Sequence, residues 1–196
     1  MPHDSAAFLV VLDADSTLIR NEVIELLAEA GIDVRASARS YRPSVTFQGV
    51  STKILKPRNI VEMLDIGARD LGFAGADWVA ELEADVVELV DTELDPVRIV
   101  AAAPANRLLN EGTLPHTPLV IASEYERLTR TWIAERSLQA TFLRSYGATE
   151  VFPPDDADCI VDNTQTGATL RANGLVIVAN YWQDWIEFVV MWTAAV

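Results

Sequence analysis

Short apolar runs alternate with amphipathic stretches along the 196-residue chain, and turn residues separate them. Residues 7–12 are apolar and run into turn residues, the pattern of a buried strand. Residues 21–31 place Val23, Ile24, Leu26, Leu27 and Ala30 ahead of Gly31, the spacing of an amphipathic helix with a glycine C-cap. Residues 45–55 alternate in part and predict one or two strands. Pro57 opens a helix that Gly67 ends. Residues 70–75 read as a strand into a Gly turn, 77–84 as a short helix, and 85–90 and 97–104 as two strands. A looser segment, 104–118, carries Asn, Gly and Pro. Then follow a strand at 119–123, a helix at 124–137 with Ser123 as N-cap, and strands at 140–145 and 158–162. A short helix at 167–174, a strand at 175–178 and a final helix at 181–195 complete the chain. This alternation predicts α/β layers with parallel strands.

Composition narrows the function. Half of the residues are hydrophobic and 22% are charged, the balance of a soluble globular chain. The net charge is −14, and Lys53 and Lys56 are the only lysines, which excludes a nucleic-acid binder built on clustered basic residues. One phosphorylated small molecule remains compatible, because a few Arg and backbone N–H groups suffice to bind it. Cys159 is the only cysteine, so it forms no internal disulfide and no Cys-based zinc site; an inert core thiol is expected. His3 and His116 lie far apart beside prolines and are expected at the surface. No basic segment precedes the first apolar run, and the apolar tail is too short to span a bilayer, so no signal peptide, no membrane contact and a cytoplasmic location are expected. The aromatic tail residues Tyr181, Trp182, Trp185, Phe188 and Trp192 are expected in the core or at a subunit interface.

Two stretches carry candidate chemistry. The first, "VVLDADSTLI" at 10–19, resembles the opening motif of haloacid-dehalogenase-type phosphatases, with Asp13 as nucleophile and Asp15 as acid/base. The stretch that follows is similar to phosphoserine phosphatase. Ser123 would serve as the later phosphoryl-binding residue, but both lysines lie upstream of it, and Asp155–Asp156 follow two prolines rather than a strand. Asp13, Asp15 and Ser16 are also ordinary turn and N-cap residues between a strand and a helix, and that reading is preferred.

The second stretch is "DNTQTGATLRANGL" at 162–175. An acidic residue, Asp162, ends a strand. A turn of Thr164, Gln165, Thr166, Gly167, Ala168 and Thr169 then leads into a helix. Backbone N–H groups and Thr hydroxyls in this layout suit a phosphate monoester, and a glycine lets the backbone come close. Asp162 is placed to accept hydrogen bonds from two vicinal hydroxyls, so the pair describes a ribose 5-phosphate. An N-capped helix after a Gly-containing loop accounts for the same spacing.

The chain from about residue 20 to 178 is similar to the catalytic subunit of ATP phosphoribosyltransferase, the first enzyme of histidine biosynthesis. The segments that carry the likeness are "SARSYRPS", "LKPRNIVEMLDIGARDLGFAGADW" with Gly67, Asp70, Gly72, Gly75 and Asp77, "DPVRIVAAAP" with Arg98, "IASEYERLTRTWIAE" with Tyr125, Leu128, Thr129 and Arg130, and "GATEVFPPDDADCIVDNTQTGATLRANGL". The resemblance implies an α/β fold, bilobed and type II periplasmic-binding-protein-like, with two small domains around a cleft. Residues 1–98 plus 179–196 would form domain I, and 99–178 domain II with the phosphoribosyl-binding loop. It implies transfer of phosphoribosyl from phosphoribosyl pyrophosphate to N1 of ATP, with Mg2+ as cofactor and release of pyrophosphate. Thr164–Thr169 would cradle the 5-phosphate, and Asp162 would hold the ribose hydroxyls near the developing positive charge. Asp70, Gly75, Asp77 and Arg98 would serve the nucleotide, and Arg98 and Arg130 the phosphates; turn capping and surface salt bridges explain these residues as well. No residue is assigned as a metal ligand. The length resembles the short form, which implies a histidyl-tRNA-synthetase-like regulatory subunit and a homo-oligomer.

One turn departs from the family. Its members usually carry Lys-Gly-Arg-Leu or Lys-Gly-Ser-Leu there, where this chain has Asp13-Ala14-Asp15-Ser16. A like-charge contact at about 4 Å costs roughly 4 kcal/mol at an effective dielectric near 20, which magnesium would offset. The alternative expectation is therefore a ribose-phosphate- or nucleotide-binding relative with no catalysis or another specificity, and a weaker one is the Asp13 phosphatase.

Overall fold

The computed structural model describes residues 8–13, 17–35, 41–109, 112–181 and 186–193. The chain divides into two compact units, Met1–Asp95 with Glu187–Val196, and Pro96–Ile186. In the first, β1 (Phe8–Asp13) leads to α1 (Thr17–Glu29), followed by β2 (Val34–Arg35), β3 (Ser44–Val45), β4 (Val50–Leu55), α2 (Pro57–Asp65), β5 (Leu71–Gly75) and α3 (Ala76–Leu82). The long strand β6 (Val86–Pro104) carries the chain into the second unit. There follow β7 (Leu119–Ser123), α4 (Glu126–Glu135), β8 (Ala140–Arg144), β9 (Cys159–Thr164), α5 (Ala168–Ala172) and β10 (Leu175–Asn180), after which β11 (Ile186–Thr193) returns to the first. Among the described residues no helix is long and apolar enough to cross a membrane.

In the first unit β1 lies parallel to both β4 and β5, while β11 runs antiparallel to β5. Val23, Ile54 and Phe73 form a buried cluster there, and Leu26, Leu27 and Leu71 pack on it. In the second unit the strand order is β6-β9-β7-β8, with β10 on β6. β7 is parallel to β8 and β9, and β6 is antiparallel to β9 and β10. Ile99, Val100, Ala101, Ala102 and Ala103 on β6 are fully buried, so this half of β6 is covered on both faces. Val100, Ala102, Ala122, Ile160, Leu170 and Leu175 make the core on which the β9–α5 turn rests.

Four expectations need correction. Residues 186–193, expected within a final helix, are strand β11, because Ile186, Val189, Val190, Trp192 and Thr193 are β-branched or aromatic residues that favour a pleated surface; 182–185 and 194–195 lie outside the described residues. Residues 85–90 and 97–104 are one 19-residue strand rather than two. Its first half is exposed at Val87–Asp91, so polar residues mark a solvated strand there and not a turn. The sheets are mixed rather than parallel, because β6 and β11 enter antiparallel. Ser123 closes β7 and does not cap α4, whose N-cap is Tyr125. Its hydroxyl still accepts a hydrogen bond from the Tyr125 N–H at 2.9 Å.

The glycine spacing of the first unit has a packing cause. A Cβ on Gly72 would lie 2.7 Å from Ile60 Cγ2 and 2.9 Å from Leu64 Cδ1, on the face of α2 that packs on β5. Both leucine and isoleucine are fully buried and cannot move aside. Gly72→Ala is therefore expected to destabilise the protein by about 1–3 kcal/mol through overpacking. Denaturant unfolding checks this, and an unchanged midpoint and slope would refute it.

Candidate active site

The second unit brings several polar groups to the C-terminal end of β9. Asp162, Asn163 and Thr164 are its last three residues, and Gly167 is the N-cap of α5 with φ 71° and ψ 13°. Only a residue without a Cβ holds that left-handed conformation without strain. The turn is tied by its own side chains. The Gly167 N–H donates to Thr164 Oγ1 at 2.9 Å and the Ala168 N–H to Thr166 Oγ1 at 3.3 Å. Each hydroxyl thus spends a lone pair inward and keeps its proton to donate outward. This differs in part from the expected cradle of backbone N–H groups, because two of them are turned to the loop's own threonines. Gln165, Thr166, Ala168 and Thr169 are exposed, and Gly167 is buried.

Asp162 is a strongly perturbed carboxylate. The Asn163 N–H donates to its Oδ1 at 2.8 Å. Although the residue as a whole is half-buried, desolvation of its carboxyl dominates, and Glu124 and Glu150 add negative charge. Its pKa is raised from 3.8 to about 7. The carboxyl is thus poised between its neutral and charged forms near neutrality, a property that clusters at functional sites. On the opposite side of the strand, Asn163 Nδ2 donates to the buried Tyr125 hydroxyl at 2.8 Å.

Two arginines approach this turn. Arg98 lies opposite Thr164 across the β6–β9 pairing, and its Nη1 donates to Asn180 Oδ1 at 3.5 Å. Arg98 thus stands beside the Thr turn in the second unit, while Asp70, Gly75 and Asp77 belong to the first. Arg171 was not singled out from the sequence. From α5 its Nη1 donates back to the Thr166 carbonyl at 2.9 Å, and a Cβ on Gly167 would lie 3.1 Å from that same nitrogen. The available signal was its position four residues after Gly167, one helical turn on. Arg130 is placed elsewhere. It pairs with Glu126 at 2.9 Å and stacks over Phe142 at 5.0 Å, as a helix-surface residue does.

Asp70, Gly75 and Asp77 belong to the first unit. Gly75 ends β5 and is the N-cap of α3, and Asp77 sits in the first turn of that helix, 2% exposed. A Cβ on Gly75 would approach Asp77 Oδ1 to 2.2 Å, so the glycine makes room for this carboxylate. A negative charge is favoured at a helix N-terminus. The same unit holds a cavity of about 580 Å³ lined by Leu26, Leu27, Ile32, Phe47, Phe73 and Val90 among others, with no charged side chain, which is no place for a polyphosphate.

Of the residues named for the phosphatase motif, Ser123 is the one whose side chain is described and engaged. Ser123 is fully buried; its hydroxyl donates to the Val161 carbonyl at 2.6 Å and accepts from the Tyr125 N–H, so none of it is left to hold a phosphoryl group. Asp13 ends β1, while Asp15 and Ser16 lie outside the described residues, as do Trp182 and Trp185. Burial pushes the Cys159 thiol up to about 12, as an inert core thiol requires. His116 is exposed. Among the described residues no group of three or more His, Cys, Asp or Glu is placed to hold a metal ion.

Comparison with known proteins settles the family. The profile of the family HisG: ATP phosphoribosyltransferase matches residues 56–190, most of the chain. ATP phosphoribosyltransferase of Chlorobium phaeobacteroides is 36% identical over 165 residues, covering 82% of this chain and 56% of that protein. That of Pelodictyon phaeoclathratiforme is 35% identical over 183 residues, covering 89% of this chain and 61% of that protein. The chain thus spans about three-fifths of the length of these curated relatives. Among solved structures, the ATP phosphoribosyl transferase (HisG:HisZ) complex from Thermotoga maritima superposes with a TM-score of 0.78 at 22% identity, over 95% of this chain and 88% of that one. The alkanesulfonate-binding protein SsuA from Xanthomonas axonopodis pv. citri does so with a TM-score of 0.56 at 15% identity, over 97% of this chain and 67% of that one. The fold is thus the α/β, type II periplasmic-binding-protein kind, and the chain belongs to the HisG family of ATP phosphoribosyltransferases.

Proposed function

We propose that this chain transfers phosphoribosyl from phosphoribosyl pyrophosphate to N1 of ATP and releases pyrophosphate, the first step of histidine biosynthesis. The observation that carries the proposal is the junction of Asp162 with the Thr164–Thr169 turn, next to Arg98 and Arg171. A phosphate monoester takes the outward protons of Thr164 and Thr166 and the charge of the two arginines. Asp162 accepts the two ribose hydroxyls. As the bond from C1 to pyrophosphate lengthens, positive charge grows on the ribose ring, and an ionised Asp162 stabilises it. The chemistry needs no covalent intermediate, so the protein's contribution is positioning and electrostatics.

Asp70, Gly75 and Asp77 are proposed to shape the nucleotide pocket, Asp77 by fixing the β5–α3 turn from its buried place. Magnesium, which the family reading implies, is proposed to arrive on the polyphosphates of the substrates and to offset the acidic turn at Asp13 and Asp15. A histidyl-tRNA-synthetase-like regulatory subunit is a proposed partner; the name of the Thermotoga maritima complex supports such a pairing in a protein of the same fold. Homo-oligomerisation and a cytoplasmic location go with this reading. The test is incubation with ATP, phosphoribosyl pyrophosphate and magnesium, with and without such a subunit. Pyrophosphate that appears only when ATP is present supports the transfer. Ribose-phosphate binding without pyrophosphate, with the subunit present, would make this a non-catalytic relative.

A further inference from the structure

The first unit carries a surface that the phosphoribosyl site does not use. β6 has β11, β9 and β10 as its neighbours, and β9 and β10 pair with it only at residues 98–104. Residues 86–91 therefore have β11 on one side and, among the described residues, no strand on the other. This free edge ends where the backbone turns inward. Glu93 is left-handed at φ 55°, its N–H donates to Asp91 Oδ1 at 2.8 Å, and the Leu94 N–H donates to Thr92 Oγ1 at 3.3 Å. What remains is about 20 Å of strand, at roughly 3.3 Å per residue.

Unpaired N–H and C=O groups along such an edge are a template for another strand. Apolar side chains accompany them on both faces. Val87 and Leu89 share one face and are 47% and 49% exposed; Val90 lies on the other at 57%. Val90 also lines the apolar cavity of about 580 Å³, together with Phe47, which is 60% exposed. A strand added at this edge would thus find an apolar recess on the Val90 face.

The charges select the occupant. From Asp70 to Val97 the sequence holds nine acidic residues and no Lys, Arg or His. Along the edge itself the acids recur at every third position, Asp85, Glu88 and Asp91, all exposed, with an apolar pair in each interval. A second copy pairing antiparallel about Glu88 would align these apolar pairs. It would also set Glu88 against Glu88 and Asp85 against Asp91, and like charges across a strand pair are destabilising. A segment with the same spacing and the opposite sign keeps the apolar match and turns each repulsion into attraction.

We propose that residues 86–91 form a docking edge for an extended segment of a partner protein that carries Lys or Arg at every third position and apolar residues between. Main-chain hydrogen bonds to β6 hold the segment, its apolar side chains cover Val87, Leu89 and Val90, and its cations meet Asp85, Glu88 and Asp91. This surface lies in the first unit and does not depend on the phosphoribosyl reading.

The probe is the capped heptapeptide Lys-Val-Val-Lys-Leu-Val-Lys, titrated into the full chain by calorimetry. Its control is the same peptide methylated on the Val and Leu nitrogens, which keeps every charge and removes strand pairing. The plain peptide should bind at least about tenfold more tightly than the methylated one, the effect of losing two or more backbone hydrogen bonds. Glu88→Lys/Asp91→Lys changes two exposed side chains, so the fold should persist by circular dichroism while peptide affinity falls about tenfold. Hydrogen exchange should slow at residues 86–91 when the peptide binds. Equal binding of the two peptides would reduce the effect to bulk charge and overturn the proposal, as would no binding of either, or slowed exchange confined to other segments. Exchange at residues 86–91 that slowed with protein concentration alone would make a second copy the occupant and overturn it too.

Discussion

Asp162→Asn is expected to slow phosphoribosyl transfer by roughly 10²–10³-fold, the usual loss when one preorganised charge aimed at a transition state is removed. The amide keeps the size of the carboxylate and can still accept the Asn163 N–H, so the loss isolates the charge. The pH dependence supplies the signature. With the Asp162 pKa raised to about 7, the ionised fraction grows from a minority near pH 6 to a majority near pH 8, and transfer should rise across that interval. In Asp162→Asn this rise should disappear. Stability should move oppositely. Between the ordinary value of 3.8 and about 7 the folded chain holds a proton that the unfolded chain has lost, so stability of the unliganded protein falls as pH rises through that window. The cost at pH 8 is at most about 4 kcal/mol, and smaller because solvent reaches the half-buried residue. Asp162→Asn should therefore melt higher than the parent at pH 8 and show a flatter profile from pH 4 to 7. Initial rates and thermal melts across pH decide it; a variant with the parent's rate at pH 8 would remove Asp162 from the chemistry.

Gly167→Val is expected to weaken ribose 5-phosphate binding by at least about 100-fold while the second unit stays folded. A β-branched residue at φ 71° is strained by about 1–2 kcal/mol or more, too little to unfold a normally stable domain. Its Cβ would sit 3.1 Å from Arg171 Nη1 and 3.6 Å from Ile177 Cδ1, and its methyl groups would displace the guanidinium from the Thr166 carbonyl. The turn would lose its shape and its nearest cation together. Gly167→Ala, with the smaller side chain, should fall between the two. Circular dichroism establishes that the fold persists, and calorimetry reads the affinity. A folded Gly167→Val with the parent's affinity would show that ribose 5-phosphate does not use this turn.

The parts of this protein that were legible in its sequence are those set by neighbouring residues. The β9–α5 turn could be read because Gly167 sits among threonines directly after an apolar strand, and α2 because Pro57 opens an amphipathic pattern. The failures have non-local causes. Residues 186–193 look like an apolar helix end until β5 is there to pair with Phe188–Trp192. The unbroken course of β6 through Asp91–Pro96 is a property of the folded chain, where a polar run lies in a strand and not a turn. Arg98 stands opposite Thr164 only because β6 and β9 pair in that register, and no spacing announces it. Asp77 was assigned to the nucleotide pocket from its motif, whereas its burial over Gly75 became apparent only with α3 in place.

The central claim is that one site in the second unit reads a phosphate and a vicinal diol together. It is tested most directly by calorimetric comparison of ribose 5-phosphate with 2-deoxyribose 5-phosphate at pH 8, in the parent and in Asp162→Asn. The account predicts that the parent prefers ribose 5-phosphate by about tenfold or more, the value of one hydrogen bond to a charged group, and that Asp162→Asn abolishes the preference while still binding both sugars through the phosphate. Equal affinity of the parent for the two sugars would contradict it.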